Sequence, residues 1–190
     1  MEEIEILVAV EENIDIVLNR LSSFEKIGEK ETKDIYYFDP LRDNLKLNSD
    51  GKLKECCRVR EKAGICYITY KVDHYNANIW SHSDEYETEV KNVDTLNSIL
   101  SKLGLEELVT IVNIKHTFET PEYEIVVEEV ENLGVFLEVE YIGNTYDGAS
   151  VNEIKDNIRR FINELKIKTG GELNSGKPEL LLKNKKDLLR

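Results

Sequence analysis

The sequence predicts an α+β fold, a closed, tunnel-like antiparallel β-barrel of about eight strands with covering helices. Three observations predict it. Several stretches alternate charged and apolar residues with the two-residue period of a strand, so that like charges share one face. LGVFLEVE, residues 133–140, sets Glu138 and Glu140 against Leu137, Val139 and the following Tyr141, and EIEI near the start sets Glu3 and Glu5 against Ile4 and Ile6. Basic strands follow the same rule: CRVRE places Arg58 and Arg60 opposite Cys57 and Val59, and ITYK places Thr69 and Lys71 opposite Ile68 and Tyr70. Three amphipathic helical patterns are available to cover the apolar faces. Once they do, the charged faces must point inward, and a closed barrel with a watery lumen satisfies both requirements.

The elements follow in order. Residues 3–10 form the first strand. Ile14, Val17, Leu18 and Leu21, with Phe24 beyond them, recur at helical spacing over about residues 11–24, and Gly28 ends the unit. IYYFDP, residues 35–40, is a strand stopped by proline, and residues 44–52 form a loop. Residues 54–61 and 65–72 form a hairpin joined through Lys62, Ala63 and Gly64. A register of Arg60 with Ile65 and Arg58 with Tyr67 brings Arg58, Arg60, Thr69 and Lys71 to one face. Residues 73–83, with the sole tryptophan Trp80, read as a loop over a tunnel mouth, where Trp80 fills a core or stacks on a base.

Glu85, Glu87 and Glu89 then mark a third acidic strand face, whose mutual repulsion calls for solvent, basic neighbours or a metal ion. Val93, Leu96, Leu100 and Leu103 mark a second helix ended by Gly104. Residues 108–118 and 122–129 form another hairpin, which leads into 133–141. After a turn at GNTYDG, Ser150 and Glu153 form a capping box for a third helix reaching about Lys166. Gly170 and Gly171 break it, PELLL reads as a last edge strand, and residues 183–190 as a basic, frayed tail. The whole chain, 1–190, reads as one domain, with its core in 1–166 and a C-terminal strand and tail in 167–190.

Composition bounds the function. The formal net charge of −13 argues against nucleic acid or an anionic membrane as partner, because either polyanion would be repelled. No apolar run approaches the roughly 20 residues that span a bilayer, and the acidic N-terminus has no signal-peptide pattern, so the expected location is the cytoplasm. Cys56 and Cys57 point to opposite faces of one strand, and with Cys66 make an odd set without CxxC. They read as small apolar residues in a reducing compartment. His74, His82 and His116 are scattered, which does not support a histidine-based zinc site.

The ordered set of ExE at Glu3 and Glu5, RVR at Arg58 and Arg60, TYK at Lys71, EYETEV, and EEVENLGVFLEVE resembles the CYTH or triphosphate-tunnel family. That family includes class IV adenylyl cyclases, thiamine triphosphatases and inorganic triphosphatases. The resemblance runs from Glu3 to Glu140. It implies a small-molecule triphosphate as partner, whether ATP, thiamine triphosphate or tripolyphosphate, and Mg²⁺ or Mn²⁺ as cofactor. A homodimer is compatible with it.

A triphosphate carries about four negative charges, so binding requires converging cations, and Arg58, Arg60, Lys71 and Lys115 are the candidates. The metal requires oxygen ligands, which Glu3, Glu5, Glu87, Glu89, Glu138 and Glu140 can supply. The catalytic set is Glu3, Glu5, Arg58, Arg60, Lys71, Glu138 and Glu140. Two reactions are implied: attack of a ribose 3′-hydroxyl on the α-phosphate, giving cyclic AMP and pyrophosphate, or attack of water on a terminal phosphate.

The chain departs from the family pattern. Leu7 stands where ExExK has its lysine, the KxRxxY pattern appears as Asn113, Lys115 and Phe118, and His82-Ser83-Asp84 precedes EYETEV with no arginine. Each lost contact to a buried phosphate costs about 1.5–3 kcal/mol. Three functions therefore stand open: a cyclase, a triphosphatase, and a binding module impaired in catalysis. A sheet whose charged faces meet only solvent is the structural alternative.

Overall fold

The computed structural model describes residues 2–77, 79–143 and 149–188. Its strands are β1 (Glu2–Glu3), β2 (Glu5–Val10), β3 (Glu25–Phe38), β4 (Glu55–Lys62), β5 (Ile65–Asn76), β6 (Ile79–Val90), β7 (Glu106–Glu119), β8 (Tyr123–Val130), β9 (Gly134–Tyr141) and β10 (Thr169–Glu172). The helices are α1 (Ile14–Leu21), α2 (Val93–Lys102), α3 (Val151–Glu164) and α4 (Lys177–Leu188). All ten strands join one antiparallel sheet in the order β1, β6, β5, β4, β3, β7, β8, β9, β2, β10. The sheet is strongly curled. β1 and β2 are consecutive in the chain with only Ile4 between them, yet β1 pairs with β6 and β2 with β9.

The alternation in the sequence sets the two sides of this curl. Outside, Ile4, Ile6, Val8, Ile125, Val127, Leu137 and Val139 pack against Val17 and Leu21 of α1 and Ile154, Ile158 and Ile162 of α3. α2 covers a second outer cluster of Tyr37, Cys57, Val59, Leu100 and Leu105. Inside lie Glu3, Glu5, Arg58, Lys71, Glu138 and Glu140. The helices start where side chains satisfy their free N–H groups. Asn13 Oδ1 accepts from Asp15 N at 2.8 Å, Asn92 Oδ1 accepts from Thr95 N at 2.8 Å, and the Ser150–Glu153 capping box is formed.

Several expectations are corrected. The sheet has ten strands, and four helices are present among the described residues. The third strand begins at Glu25 and runs through Gly28. Its register with β7 carries bulges near Gly28 and Tyr36. It lacks an apolar face over its first half, because Lys30, Thr32 and Asp34 point inward while Glu29, Glu31 and Lys33 meet solvent. Residues 73–83 belong mostly to strands β5 and β6, and the 54–72 hairpin turns on two residues, Ala63 and Gly64, at φ +52° and +77°. Those values suit the left-handed-region positions of a tight hairpin turn. The register is therefore Arg60 with Tyr67 and Arg58 with Thr69. A slip of two residues keeps every side chain on its face, so the expected grouping of Arg58, Arg60, Thr69 and Lys71 is still observed. The GNTYDG turn lies largely outside the described residues.

The C-terminal segment differs most. The edge strand is β10, TGGE, paired with β2, whereas PELLL and residues as far as Leu188 form α4. Leu181 of α4, with Leu180 and Leu182 beside it, packs on Leu7, Tyr36, Val109, Ile111, Val130 and Phe136. Leu7, Tyr36 and Ile111 belong to the inner face, so α4 fills one end of the lumen with an apolar plug. No helix among the described residues is long and apolar enough to cross a membrane.

The seat of α4 explains Leu7, which is 2% exposed. Leu7→Lys, which restores the family's motif, should destabilise the protein by more than about 2 kcal/mol, because the ammonium would enter apolar surroundings. Urea unfolding measures the loss, and an unchanged midpoint would show that this end of the lumen is wet.

Candidate functional site

The curled sheet encloses a cavity of about 300 Å³. Arg58, Arg60, Lys71, Lys115, Glu3, Glu5, Glu87, Glu138 and Glu140 all line it, so seven strands bring together nine of the ten side chains singled out in the sequence. Glu89, two residues beyond Glu87 on β6, lies outside the cavity and is exposed. Glu85 takes the inward place on that strand instead.

The charges are arranged in bridged groups. Lys71 Nζ donates to Glu3 Oε2 and Glu5 Oε1, both at 2.9 Å, and lies 3.8 Å from Glu85 Oε2. Arg58 Nη2 donates to Thr69 Oγ1 at 3.0 Å and Glu85 Oε1 at 3.1 Å, while its buried Nε–H has no acceptor. Arg60 is held by Asp34 in a two-point fork, Nε to Oδ1 and Nη2 to Oδ2, each 2.7 Å. Burial favours the neutral acid at Asp34, but the Arg60 hydrogen bonds and charge outweigh it and hold the carboxyl at about 2.

A second group surrounds Glu128, which is fully buried. It accepts from Asn113 Nδ2 at 2.6 Å and from Lys177 Nζ, and Lys115 Nζ stands 3.4 Å away. Lys177 also donates to Glu138 Oε2 at 2.7 Å. Burial lowers the Lys115 pKa, with Arg60 and Lys177 adding to the effect. At Glu138 burial is overridden by Lys177 and Lys115, which hold its carboxyl well below the usual range.

Lys177 opens α4, so its ammonium sits at the tip of the apolar plug and enters the charged half of the lumen. Its contact Glu138 is the cross-strand partner of Leu7. α4 thus supplies a cation beside the carboxylate that stands across the strands from Leu7. The sequence reading missed Lys177 because PELLL resembles a strand and the basic tail resembles a solubility feature. It missed Asp34 because the strand was begun at residue 35, ten residues after its start at Glu25. Glu124 was not singled out because YEIVVEEV has apolar residues on both faces.

On three neighbouring strands, Glu5, Glu140 and Glu124 stand directly side by side. Burial, with Glu3, Glu5, Glu138 and Glu124 nearby, pushes Glu140 up to about 8. Burial likewise raises Glu3 to about 7 and raises Glu5 despite Lys71. Among the described residues, no three His, Cys, Asp or Glu side chains form a preassembled metal cage. The donor set nevertheless suits Mg²⁺ or Mn²⁺, hard cations that take one or two carboxylates and complete their shell with water and substrate oxygens. Glu140 and Glu124 engage no cation among the described residues, and Glu3 and Glu5 lie next to them.

A family model for the CYTH domain matches residues 1–174. The chain belongs to the CYTH family. A protein of Methanocaldococcus jannaschii provisionally named an adenylate cyclase is 30% identical over 142 residues, 74% of this chain and 77% of that one. Among solved structures, a protein of Pyrococcus horikoshii superposes with TM-score 0.78 at 25% identity, covering 96% of this chain and 99% of its own. A Hippeastrum structure, described as an adenylyl cyclase candidate with a dominant triphosphatase activity, has TM-score 0.68 at 17% identity, covering 96% of both chains. The lumen of this CYTH chain joins acidic residues on the strands to a cation, Lys177, carried by α4.

Because the Glu140 pKa is raised on folding, the unfolded chain ionises first, and native stability falls as pH climbs from the ordinary carboxylate range to about 8. With a chelator present, Glu140→Gln should leave the melting temperature unchanged in acid and raise it by several degrees above that window. Parallel melting curves at every pH would rule out the raised carboxyl.

Proposed function

We propose that the protein is a divalent-metal-dependent CYTH enzyme acting on a triphosphate, most like a class IV adenylyl cyclase that converts ATP to cyclic AMP and pyrophosphate. The observation that carries this reading is the convergence of Arg58, Arg60, Lys71, Lys115 and Lys177 on one cavity, with the Arg58 Nε–H lacking an acceptor. A buried guanidinium donor without a partner is costly, and a phosphate oxygen satisfies it. The name of the Methanocaldococcus jannaschii relative supports the cyclase. In this reading β1 and β2 close the sheet into the tunnel that holds the substrate.

The chain's own residues supply grip and orientation. Asp34 fixes Arg60, Thr69 and Glu85 fix Arg58, and Glu3 with Glu5 fixes Lys71, so the cations are preorganised before phosphate arrives. Lys115 and Lys177 hold oxygens on the opposite wall, next to Glu128 and Glu138. Held in line, the ribose 3′-hydroxyl oxygen forms a bond to the α-phosphorus as the bond to the pyrophosphate oxygen breaks and the hydroxyl proton passes to water. Glu3, Glu5, Glu138 and Glu140 would hold Mg²⁺ or Mn²⁺, which would supply positive charge to the phosphate oxygens and the leaving group. Glu87 stands at the margin of the metal set, because it accepts from Thr69 Oγ1 at 2.8 Å.

A triphosphatase is the second reading, supported by the activity attributed to the Hippeastrum structure. Lys177 weakens the case for an impaired module, since it replaces one of the cations missing from the strands.

A ³¹P NMR time course with ATP and with tripolyphosphate, each with Mg²⁺ and with Mn²⁺, decides the reaction. Pyrophosphate with cyclic AMP establishes the cyclase, orthophosphate the hydrolase, and shifted lines without products the binding module. Lys177→Ala should raise the dissociation constant for tripolyphosphate by roughly 10-fold or more, the weight of one charged hydrogen bond. Mg²⁺ should raise the melting temperature of the wild type but not of the Glu138→Gln, Glu140→Gln double variant. Equal shifts in both would place the metal elsewhere.

A further inference from the structure

Outside the lumen, the pairing of β5 with β6 brings together two histidines that stand apart in the sequence. His74 lies directly across from His82. Next to them the register shifts, because β6 carries Ser81 as an extra residue between His82 and Trp80 while His74 and Tyr75 are consecutive on β5. Such a bulge re-aims the side chains beside it. Asp73 lines the lumen and accepts from Ser83 Oγ at 2.7 Å, so the residues that alternate with them, His74, His82 and Asp84, share the outer face.

The two imidazoles stack, with ring centres 4.4 Å apart and planes inclined by 11°. Each ring is held through one nitrogen. His74 Nε2 donates to Asp84 Oδ2 at 2.9 Å, since a carboxylate only accepts, and His82 Nδ1 meets Ser81 Oγ at 3.1 Å. Among the described residues the opposite nitrogens, His74 Nδ1 and His82 Nε2, have no hydrogen-bond partner. An imidazole whose far N–H is fixed by an oxygen is the arrangement that orients histidine ligands around metal ions, because it sets which nitrogen offers its lone pair. The χ2 angle of histidine is broad, so a turn of the two neighbouring rings brings both lone pairs to one point.

Imidazole nitrogen suits Zn²⁺, Cu²⁺ and Ni²⁺, whereas Mg²⁺ takes oxygen. The outer pair thus has a different metal chemistry from the carboxylate-lined lumen. The side chains of His74 and Asp84 are 42% and 41% exposed, which leaves room for water to fill the remaining positions.

We propose that His74 and His82 form a surface site for a divalent transition-metal ion, Zn²⁺, Cu²⁺ or Ni²⁺, with His74 Nδ1 and His82 Nε2 as its protein ligands. Asp84 is the positioning residue that fixes the His74 ring. The site is independent of the triphosphate reading. β1 pairs with β6 at Ser83 and Asp84, so an ion held here ties β5 to β6 at the place where the N-terminal segment joins the sheet.

The chain holds three histidines, which makes His116→Gln the control. With Mg²⁺ in large excess to fill the lumen, titration calorimetry with Zn²⁺ and with Ni²⁺ should give one site in the wild type, unchanged in His116→Gln. Asp84→Ala should weaken it roughly 10-fold, and His74→Ala and His82→Ala at least as much, because losing a ligand costs no less than losing its support. The electron paramagnetic resonance spectrum of bound Cu²⁺ should show splitting from two nitrogens in the wild type and in Asp84→Ala, and from one in each histidine variant.

Absence of Zn²⁺ and Ni²⁺ binding to the wild type would overturn the site, as would full affinity in either folded histidine variant or loss of binding in His116→Gln. Binding abolished by Mg²⁺ would overturn it by placing the ion among the lumen carboxylates. Full affinity in Asp84→Ala would overturn the positioning role. Metal-free melting curves report folding, and His74→Ala and His82→Ala are read separately, so that either one decides if the other does not fold.

Discussion

The structure depends on neutralising charge turned inward. A sheet that packs helices against its apolar face leaves its charged face to line a lumen, and ions removed from water are tolerated there only when paired. Lys71 does the largest share of this pairing. It reaches Glu3 on β1 and Glu5 on β2 from β5, and so ties both halves of the N-terminal segment to the far side of the curl. Such pairs add little net stability, because desolvation cancels most of the attraction, but removing one partner leaves the other uncompensated. They fix which residues meet across the lumen, and that is a condition of the site as well as of the fold.

Much of this was legible in the sequence, and for a physical reason. Where one face of a strand is apolar and the other charged, the two-residue period shows in the letters, as in EIEI, CRVRE and LGVFLEVE. Where both faces are polar the signal vanishes. The first half of β3 faces the lumen on one side and water on the other, so EKIGEKETKD carries no strand signal although it forms part of one of the longest strands. The hairpin at Ala63 and Gly64 shows the opposite tolerance: a register wrong by two still assigns every side chain to its correct side.

The C-terminal region was legible least. PELLL has the apolar density of a strand, and only its placement within the curl shows that a helix end fits there. Lys177 could not be recognised from its neighbours in sequence, because what makes it a site residue is proximity to Glu128 and Glu138, some 40 to 50 positions earlier. Glu85 was placed on the acidic face but left out of the ligand set, an offset along that face, and Asp34 was missed because its strand was begun late. Pairwise alternation finds faces; it does not find which charge on a face has a partner.

A cation carried into the lumen by α4 differs in kind from one carried by a strand. A lysine on an internal strand is fixed as long as the sheet exists. Lys177 is present in the lumen only while Leu181 and its neighbours stay seated on Leu7, Tyr36 and Ile111, so its charge is conditional on the docking of one helix. The positive charge on that wall of the lumen is thereby coupled to the local stability of α4. A ligand that draws on Lys177 must in turn hold α4 in place, so the last helix to join the chain becomes the part of the fold that an occupied site protects most.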